Sequence, residues 1–212
     1  MRFEDAAARL TSMPVPLPEP PDELMPLRTD TAERRPPGSG IAATRPASVL
    51  VLVVPDADGE ARVVLTERVS YDGHHSGEVS FPGGKPEPDD ADHVATALRE
   101  ATEEVGLDPM AAQVEVVGVL GEVWIPISGF RITPVVAVAR RHPDLTAGAG
   151  EVARIVEAPV SAFLPGAEIR IVERRILEWD VRYGVYPVEG LEVWGATARI
   201  LGQLGAVLGA GQ

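Results

Sequence analysis

The chain has 212 residues, of which 45% are hydrophobic and 24% charged, a composition that suits one soluble globular domain. It contains no cysteine, which excludes disulfides, thiol nucleophiles and cysteine-ligated metal sites. Its net charge of −13 argues against nucleic acid as a partner, and no apolar run reaches the roughly 20 residues that span a bilayer, so no membrane partner is expected. The N-terminus lacks the apolar core of a signal peptide, and the expected location is therefore cytoplasmic.

The first 46 residues differ in composition from the rest and are predicted to form an N-terminal arm. Residues 3–10 have the pattern of a short helix, and prolines then recur through residues 13–26 and again in RRPPGSG at 34–40. Because proline fixes φ and removes a backbone donor, no regular element is expected in these two segments. We expect an extended arm that packs on the following domain or on a second subunit, with disorder as the alternative.

Residues 47–212 are predicted to form one domain of mixed strands and helices. Runs of β-branched residues bounded by turn residues indicate strands, and apolar residues three and four apart indicate helices. In chain order the predicted elements are strands at 47–55 and 61–68, a loop at 69–77, a helix at 92–105 closed by Gly106, strands at 113–124, 131–140 and from 151, a helical turn at 159–164, strands at 168–179 and 181–188, and a helix at 196–208. This order favours an α+β fold with a mixed sheet over a doubly wound parallel sheet.

The helix predicted at 92–105 has an apolar stripe and a separate acidic face. Glu100, Glu103 and Glu104 have the i, i+3, i+4 spacing that places side chains together on a helix. Neighbouring carboxylates repel one another, and a hard divalent cation such as magnesium, which prefers oxygen ligands, removes that penalty. A solvated acidic face is the alternative explanation. The apolar stripe consists of Val94, Ala97, Leu98, Ala101 and Val105.

The residues around this acidic face favour a metal site. Gly83 and Gly84 precede the helix, and glycine lets the backbone approach a ligand closely. Arg99 stands next to Glu100 and could orient a glutamate by a charge-assisted hydrogen bond. A loop followed by a helix in this way holds acidic groups rigidly beside a pocket lined by backbone.

Residues 84–107 resemble the Nudix box, the signature of the Nudix hydrolase family. The pattern is Gly, five residues, Glu, seven residues, then Arg-Glu-aliphatic-any-Glu-Glu-any-Gly-aliphatic. Gly84 matches the first glycine, and REATEEVGL at 99–107 matches the second half, with alanine at the aliphatic position. The interval between Gly84 and Arg99 is one residue longer than in the pattern, and the first glutamate is absent. Asp90, reached by counting forward from Gly84, is the expected substitute.

The longer loop and several other segments are similar to the coenzyme A diphosphatase branch of this family. Members of that branch usually carry Leu-Arg where this chain has Asp72-Gly73, so a cation that would meet substrate phosphate is missing at this point. Because of this difference, a diphosphate other than coenzyme A is also a possible substrate. The similar segments are Leu65-Thr66-x-Arg68, GEVSFPGG at 77–84, SGFRITPVV at 128–136 and VWGATA at 193–198.

The resemblance implies a Nudix-type α/β/α sandwich with a mixed β-sheet and a diphosphatase that uses Mg²⁺, with Mn²⁺ as a substitute. The expected reaction is hydrolysis of a small molecule linked to a nucleoside diphosphate. Coenzyme A or acyl-CoA is the first candidate, with 4′-phosphopantetheine and adenosine 3′,5′-bisphosphate as products. The alternatives are ADP-ribose, NADH, a nucleotide sugar or a dNTP. A Nudix-fold sensor that binds without turnover is a third possibility, and a homodimer is expected because Nudix enzymes are often dimeric.

The resemblance also implies roles for individual residues. Glu100, Glu103 and Glu104 are the predicted metal ligands, and Arg99 is predicted to orient a carboxylate. The general base is either a glutamate of the box or Glu151 from a later loop, and a surface position at a strand end is the alternative for Glu151. The predicted catalytic residues are Arg99, Glu100, Glu103 and Glu151. The predicted substrate contacts are Arg68, Gly83, Gly84 and the pair His74 and His75, whose loop either lines the pocket or faces solvent.

Overall fold

A computed structural model describes residues 1–30, 45–69, 78–125, 128–176 and 179–210 of the chain. Strands and helices are numbered here in chain order. The larger sheet is mixed, because β2 runs parallel to β8 whereas the other pairs among its described strands are antiparallel. Its strands are β2 (Arg45–Pro55), β3 (Ala61–Arg68), β4 (Val79–Ser80), β5 (Gly83–Gly84), β6 (Val114–Val119), β7 (Val123–Ile125), β8 (Phe130–Ala139) and β9 (Val152–Pro159).

A smaller antiparallel sheet and three helices complete the described structure. The sheet consists of β1 (Leu27–Arg28), β10 (Arg170–Ile176), β11 (Trp179–Val188) and β12 (Leu191–Val193). The helices are α1 (Phe3–Thr11), α2 (His93–Val105) and α3 (Gly195–Gly209), with short 3-10 turns at Asp22–Leu24 and Val160–Phe163. None of the helices in the described part of the chain is long and apolar enough to cross a membrane.

The larger sheet lies between two layers, and the side chains of β2 show why. Successive side chains of a strand point to opposite faces. Leu50 and Leu52 pack with the apolar stripe of α2, whereas Val51 and Val53 belong to a second core. That second core also contains α1, α3 and residues of the smaller sheet. The predicted α/β/α sandwich with a mixed sheet is therefore confirmed.

Both ends of α2 follow from the residues that stand there. The side chain of Asp92 accepts a hydrogen bond from the backbone N–H of Ala95 at 2.9 Å and caps the first turn. Gly106 adopts the left-handed conformation, with φ of 66°, and ends the helix. The predicted helix at 92–105 is thus confirmed to within one residue.

Two of the predicted elements need correction. The strand predicted at 113–124 is divided into β6 and β7, because the N–H of Gly121 leaves the ladder and donates to the side chain of Gln203 in α3 at 2.8 Å. The proline-rich residues 13–26 include one 3-10 turn at Asp22–Leu24, where the carbonyl of Pro21 accepts from the N–H of Leu24. Proline is compatible with the start of a helical turn, since its missing N–H has no partner there.

The first 30 residues pack against the α3 face of the larger sheet. Phe3 and Leu10 of α1 are buried in the same core as α3. Arg9 donates to the carbonyl of Leu208, and the carbonyl of Pro18 accepts from Gln203 at 3.2 Å. The division of the chain into an arm at 1–46 and a domain at 47–212 stays a prediction, and RRPPGSG at 34–40 lies outside the described residues.

Candidate active site

The two-residue strand β5 lies directly against the carboxylates of α2. The N–H of Gly83 donates a hydrogen bond to Oε2 of Glu104 at 3.1 Å. A Cβ at Gly84 would overlap the carboxylate of Glu100, and a Cβ at Gly83 would lie 2.6 Å from the Cα of Val49 in β2. Glycine at both positions therefore lets the backbone fit between the sheet and the acidic side chains.

Arg99 connects the loop before α2 to the acidic face of the helix. Its Nε and Nη2 atoms lie 3.1 Å from the two carboxylate oxygens of Asp90, and Nη2 also donates to the carbonyl of Lys85 at 3.0 Å. Nη2 lies 3.0 Å from Oε1 of Glu100, and Nη1 lies 3.2 Å from Oε2 of Glu103. The planar guanidinium presents five N–H donors in fixed directions, so it can hold Asp90, Glu100 and Glu103 at the same time. A lysine ammonium, with three donors on one atom, could not bind them in this geometry.

Asp90 fixes the position of Arg99 from the loop side. Its carboxylate also accepts from the backbone N–H of Glu87 at 2.8 Å and from the hydroxyl of Thr96 at 2.9 Å. Hydrogen bonds from Arg99 are the main cause that lowers the pKa of Asp90 to about 2. Asp90 is therefore charged near neutral pH, and it stands in the interval where the family pattern has its first glutamate.

Burial disfavours the charged forms of two carboxylates of α2, the buried Glu104 and the partly buried Glu100. Burial raises the pKa of Glu104 to about 7, while the N–H of Gly83 and the charge of Arg68 act in the opposite direction. Burial also raises the pKa of Glu100, and Arg99 opposes this shift. Each of these carboxylates would become easier to ionise beside a cation, which makes the pair a candidate cation site.

The third predicted ligand, Glu103, is oriented differently. Its side chain is 58% exposed, compared with 16% for Glu100, and it is paired with Arg99. Among the described residues, no group of three acidic or histidine side chains is already arranged to hold a metal ion. The chemistry of the donors nevertheless fits a hard divalent cation, since Glu100 and Glu104 offer carboxylate oxygens whose charge is disfavoured by burial.

The loop that carries Glu151 is tied to the C-terminal end of α2. The N–H of Gly148 donates to the carbonyl of Glu104 at 2.8 Å. The carbonyl of Glu151 accepts from the N–H of Val69 at 3.0 Å, so Glu151 lies beside the end of β3, where Arg68 stands. The negative charge of Glu151 contributes to the raised pKa of both Glu100 and Glu104. Glu151 and Arg68 therefore lie at the same end of the sheet as these carboxylates.

The structure thus brings most of the predicted site residues together. Glu103 lies at the margin of the group, and His74 and His75 lie outside the described residues. The carbonyl of Lys85 was not anticipated as a partner of Arg99, because a contact across an irregular loop leaves no periodic pattern in the sequence. The residues that meet at this end of the sheet are Arg68, Gly83, Gly84, Asp90, Arg99, Glu100, Glu104 and Glu151.

Comparison with protein families gives one match that covers most of the chain. The family model described as the NUDIX domain matches residues 44–179. "Nudix hydrolase 15, mitochondrial" of Arabidopsis thaliana is 39% identical over 161 residues, which are 73% of this chain and 55% of that protein. "Uncharacterized Nudix hydrolase NudL" of Enterobacter sp. (strain 638) is 36% identical over 165 residues, which are 78% of this chain and 83% of that protein.

The chain spans about half the length of the two Arabidopsis relatives, 55% of Nudix hydrolase 15 and 52% of "Nudix hydrolase 22, chloroplastic". Among solved structures, the Nudix hydrolase RenU from M. smegmatis is similar, with 24% sequence identity and a TM-score of 0.47. That similarity covers 64% of this chain and 79% of RenU.

Proposed function

The chain belongs to the Nudix family, and on that premise we propose that it is a metal-dependent diphosphatase whose active site is built on α2 and β5. The observation that carries this proposal is the meeting of Glu100 and Glu104 with the Gly83–Gly84 backbone. An anionic substrate needs a compensating cation at such a site, because two carboxylates alone repel a diphosphate.

Nudix hydrolases generally use divalent metals, and we propose Mg²⁺ here, with Mn²⁺ as a substitute. Glu100 and Glu104 would hold the ion, with Glu103 as a third ligand after its side chain leaves Arg99. A bound divalent cation supplies charge neutralisation at the diphosphate oxygens. Arg99 would keep Glu100 in position, and the N–H of Gly83 would keep Glu104 in position.

The proposed general base is Glu151 or, if Glu100 and Glu104 alone hold the ion, Glu103. Glu151 is supported by its position at the end of the sheet, where its charge raises the pKa of both Glu100 and Glu104. Glu103 is supported by its place on the acidic face of α2 and its exposed carboxylate. A base has to be accessible to the attacking water, and the side chains of Glu103 and Glu151 are both exposed.

The proposed substrate is coenzyme A or an acyl-CoA, cleaved to 4′-phosphopantetheine and adenosine 3′,5′-bisphosphate. The support is the similarity of GEVSFPGG, SGFRITPVV and VWGATA to the coenzyme A diphosphatase branch. The departure at Asp72-Gly73, outside the described residues, keeps ADP-ribose, NADH, a nucleotide sugar and a dNTP as alternatives. A sensor without turnover is less well supported, since the three glutamates in the second half of the box, Glu100, Glu103 and Glu104, are all present.

A substrate panel tests the proposed activity. Product release would be measured from coenzyme A, acetyl-CoA, NADH, ADP-ribose, a sugar nucleotide and dNTPs, each with Mg²⁺ or Mn²⁺. We expect turnover of coenzyme A and acetyl-CoA with either ion and none with chelator. Turnover of ADP-ribose without turnover of coenzyme A would reject the coenzyme A assignment and keep the diphosphatase. No turnover of any compound by folded protein would favour the sensor.

Replacing one buried carboxylate tests the site itself. Glu104→Gln keeps the shape of the side chain and removes its charge, and we expect kcat to fall by at least about 1,000-fold, because a lost metal ligand removes several kcal/mol of transition-state stabilisation. The matched control is Glu173→Gln, which changes an exposed glutamate in β10 of the smaller sheet and should keep wild-type kcat. Wild-type kcat in Glu104→Gln would refute the site.

The cytoplasmic location and the homodimer expected from the sequence stay predictions. Sedimentation of the full chain at several concentrations decides the second, and a species with the mass of a single 22.5 kDa chain at all concentrations would reject it.

A further inference from the structure

One aromatic ring is contacted by two cationic side chains at the end of the larger sheet where β2 and β8 begin. The guanidinium carbon of Arg45 lies 4.4 Å from the ring centroid of Phe130, and Nζ of Lys85 lies 5.9 Å from it. Arg45 stands directly opposite Phe130 in the parallel register of β2 and β8. We call Arg45, Lys85 and Phe130 the Phe130 cluster.

The Phe130 cluster is unusual for so acidic a chain. The net charge is −13, yet among the described residues neither Arg45 nor Lys85 has a carboxylate within 4.0 Å. Both charges lie within 6 Å of a single ring, which attracts a cation by only about 0.5–1 kcal/mol at an exposed site. Two exposed positive charges held at one partly buried ring form a favourable place for an anion.

The Phe130 cluster adjoins the proposed active site. Lys85 directly follows Gly84, and its carbonyl accepts a hydrogen bond from Arg99 at 3.0 Å. Because successive residues of an extended strand face opposite sides, Gly84 faces Glu100 whereas the side chain of Lys85 leaves on the other side of β5. A long substrate that extended from Glu100 past the end of this short strand would meet the Phe130 cluster.

We propose that the Phe130 cluster binds the phosphorylated nucleoside half of the substrate, an inference that rests on the proposed diphosphatase function. The ring of Phe130 and the planar guanidinium of Arg45 offer stacking surfaces for a base. The ammonium of Lys85 supplies a point charge for a phosphate monoester on the ribose. The cluster would thereby provide the positive contact that is missing from the sequence at Asp72-Gly73.

Binding without catalysis tests this assignment directly. The probes are adenosine 3′,5′-bisphosphate and AMP, titrated calorimetrically into the full chain in chelator. We expect the bisphosphate to bind about tenfold more tightly, the effect of one charge-assisted contact. Lys85→Gln should remove that preference, and Phe130→Leu should weaken both nucleotides by about tenfold through lost stacking. Equal affinity of the two nucleotides for the wild type would overturn the proposal.

The matched control is Arg141→Gln. Arg141 is exposed and lies two residues beyond the far end of β8, so its replacement removes one positive charge without touching the Phe130 cluster. We expect wild-type affinity for both nucleotides in this variant. A loss of preference in Arg141→Gln equal to that in Lys85→Gln would reduce the effect to net charge and overturn the assignment.

Kinetics separate this inference from the function on which it rests. With coenzyme A as substrate, Lys85→Gln should raise KM by more than it lowers kcat, and the increase in KM should shrink with dephospho-coenzyme A. If the wild type hydrolyses no diphosphate, the proposed function fails, and the calorimetric comparison still decides whether the Phe130 cluster binds a phosphorylated nucleoside. If coenzyme A is hydrolysed and Lys85→Gln has wild-type KM and nucleotide affinities, only the Phe130 cluster assignment fails.

Discussion

The two long helices on opposite faces of the larger sheet differ in what they bury. In α3, nine of fifteen residues are buried, and its buried polar side chain, Gln203, is bonded to the N–H of Gly121 and to the carbonyl of Pro18. In α2, five of thirteen are buried, and one of them is Glu104, whose pKa burial raises to about 7. We infer that α3 contributes mainly stability, whereas α2 gives up some stability to hold charge at a fixed position.

The largest effect that separates the helices is expected from Leu204→Ala in α3. Leu204 is completely buried in the core shared with α1, so the free energy of unfolding should fall by about 3 kcal/mol. Urea unfolding measures this change, while kcat/KM of the folded fraction should stay at the wild-type value. Leu98→Ala on the partly buried edge of α2 is the control and should cost less. If Leu204→Ala lowered kcat and left the free energy of unfolding unchanged, the assignment of stability mainly to α3 would be wrong.

Asp90→Asn should lower kcat and keep the fold, which is the opposite of the effect expected for Leu204→Ala. The change removes the charge that holds Arg99, and we expect kcat to fall by about 10- to 100-fold, as for groups that orient a metal ligand. Circular dichroism and steady-state kinetics measure the fold and the loss. Asp89→Asn alters the exposed neighbour and should keep wild-type kcat. Equal losses in the two variants would show that Asp90 has no specific role in orienting Arg99.

The smallest expected effect is a pH dependence of the metal-free protein. The pKa of Glu104 is raised from 4.5 to about 7 in the folded chain, so the folded state binds this proton more tightly than the unfolded chain does. The protonated Glu104 therefore stabilises the folded state fully below pH 4.5, the pKa in the unfolded chain, and this contribution to the free energy of unfolding is lost as the pH rises towards 7. Thermal unfolding in chelator should therefore show a midpoint that falls by a few degrees across this range.

Glu104→Gln provides the control for the pH dependence. The variant cannot ionise at this position, so its midpoint should change less between pH 4.5 and 7, and Mg²⁺ should raise it less than it raises that of the wild type. An identical pH profile in the variant would assign the effect to another group.

The sequence was sufficient to predict those elements whose ends and packing faces depend on residues close together in the chain. The boundaries of α2 could be predicted because Asp92 and Gly106 act within one helical turn, and the apolar stripe of α2 predicted its packing face. The mixed sheet could be expected from the order of hairpins and helices, but the parallel pairing of β2 with β8 joins segments about 85 residues apart. No local pattern specifies such a partner.

The sequence predicted which residues form the candidate site, but it did not predict how exposed each side chain is or which partner it contacts. Helical spacing places Glu100, Glu103 and Glu104 on one face, yet Glu103 is mostly exposed and paired with Arg99, whereas Glu104 is buried. This difference depends on how far β5 approaches each turn of the helix, which is a property of tertiary packing. The Phe130 cluster likewise depends on the register of three strands, so the separate sequence positions gave no sign of it.

The contact between Asp90 and Arg99 bears on how this kind of site is recognised. An aspartate is one methylene shorter than the glutamate of the family pattern, and it stands in a loop that is one residue longer. Even so, its two carboxylate oxygens accept hydrogen bonds from Nε and Nη2 on one edge of the Arg99 guanidinium, each at 3.1 Å. The shorter side chain of Asp90 therefore still reaches Arg99 from the longer loop. A search defined by residue types at fixed intervals would miss such chains, whereas a structural search for a carboxylate bound to two nitrogens of the arginine that precedes Glu100 would find them.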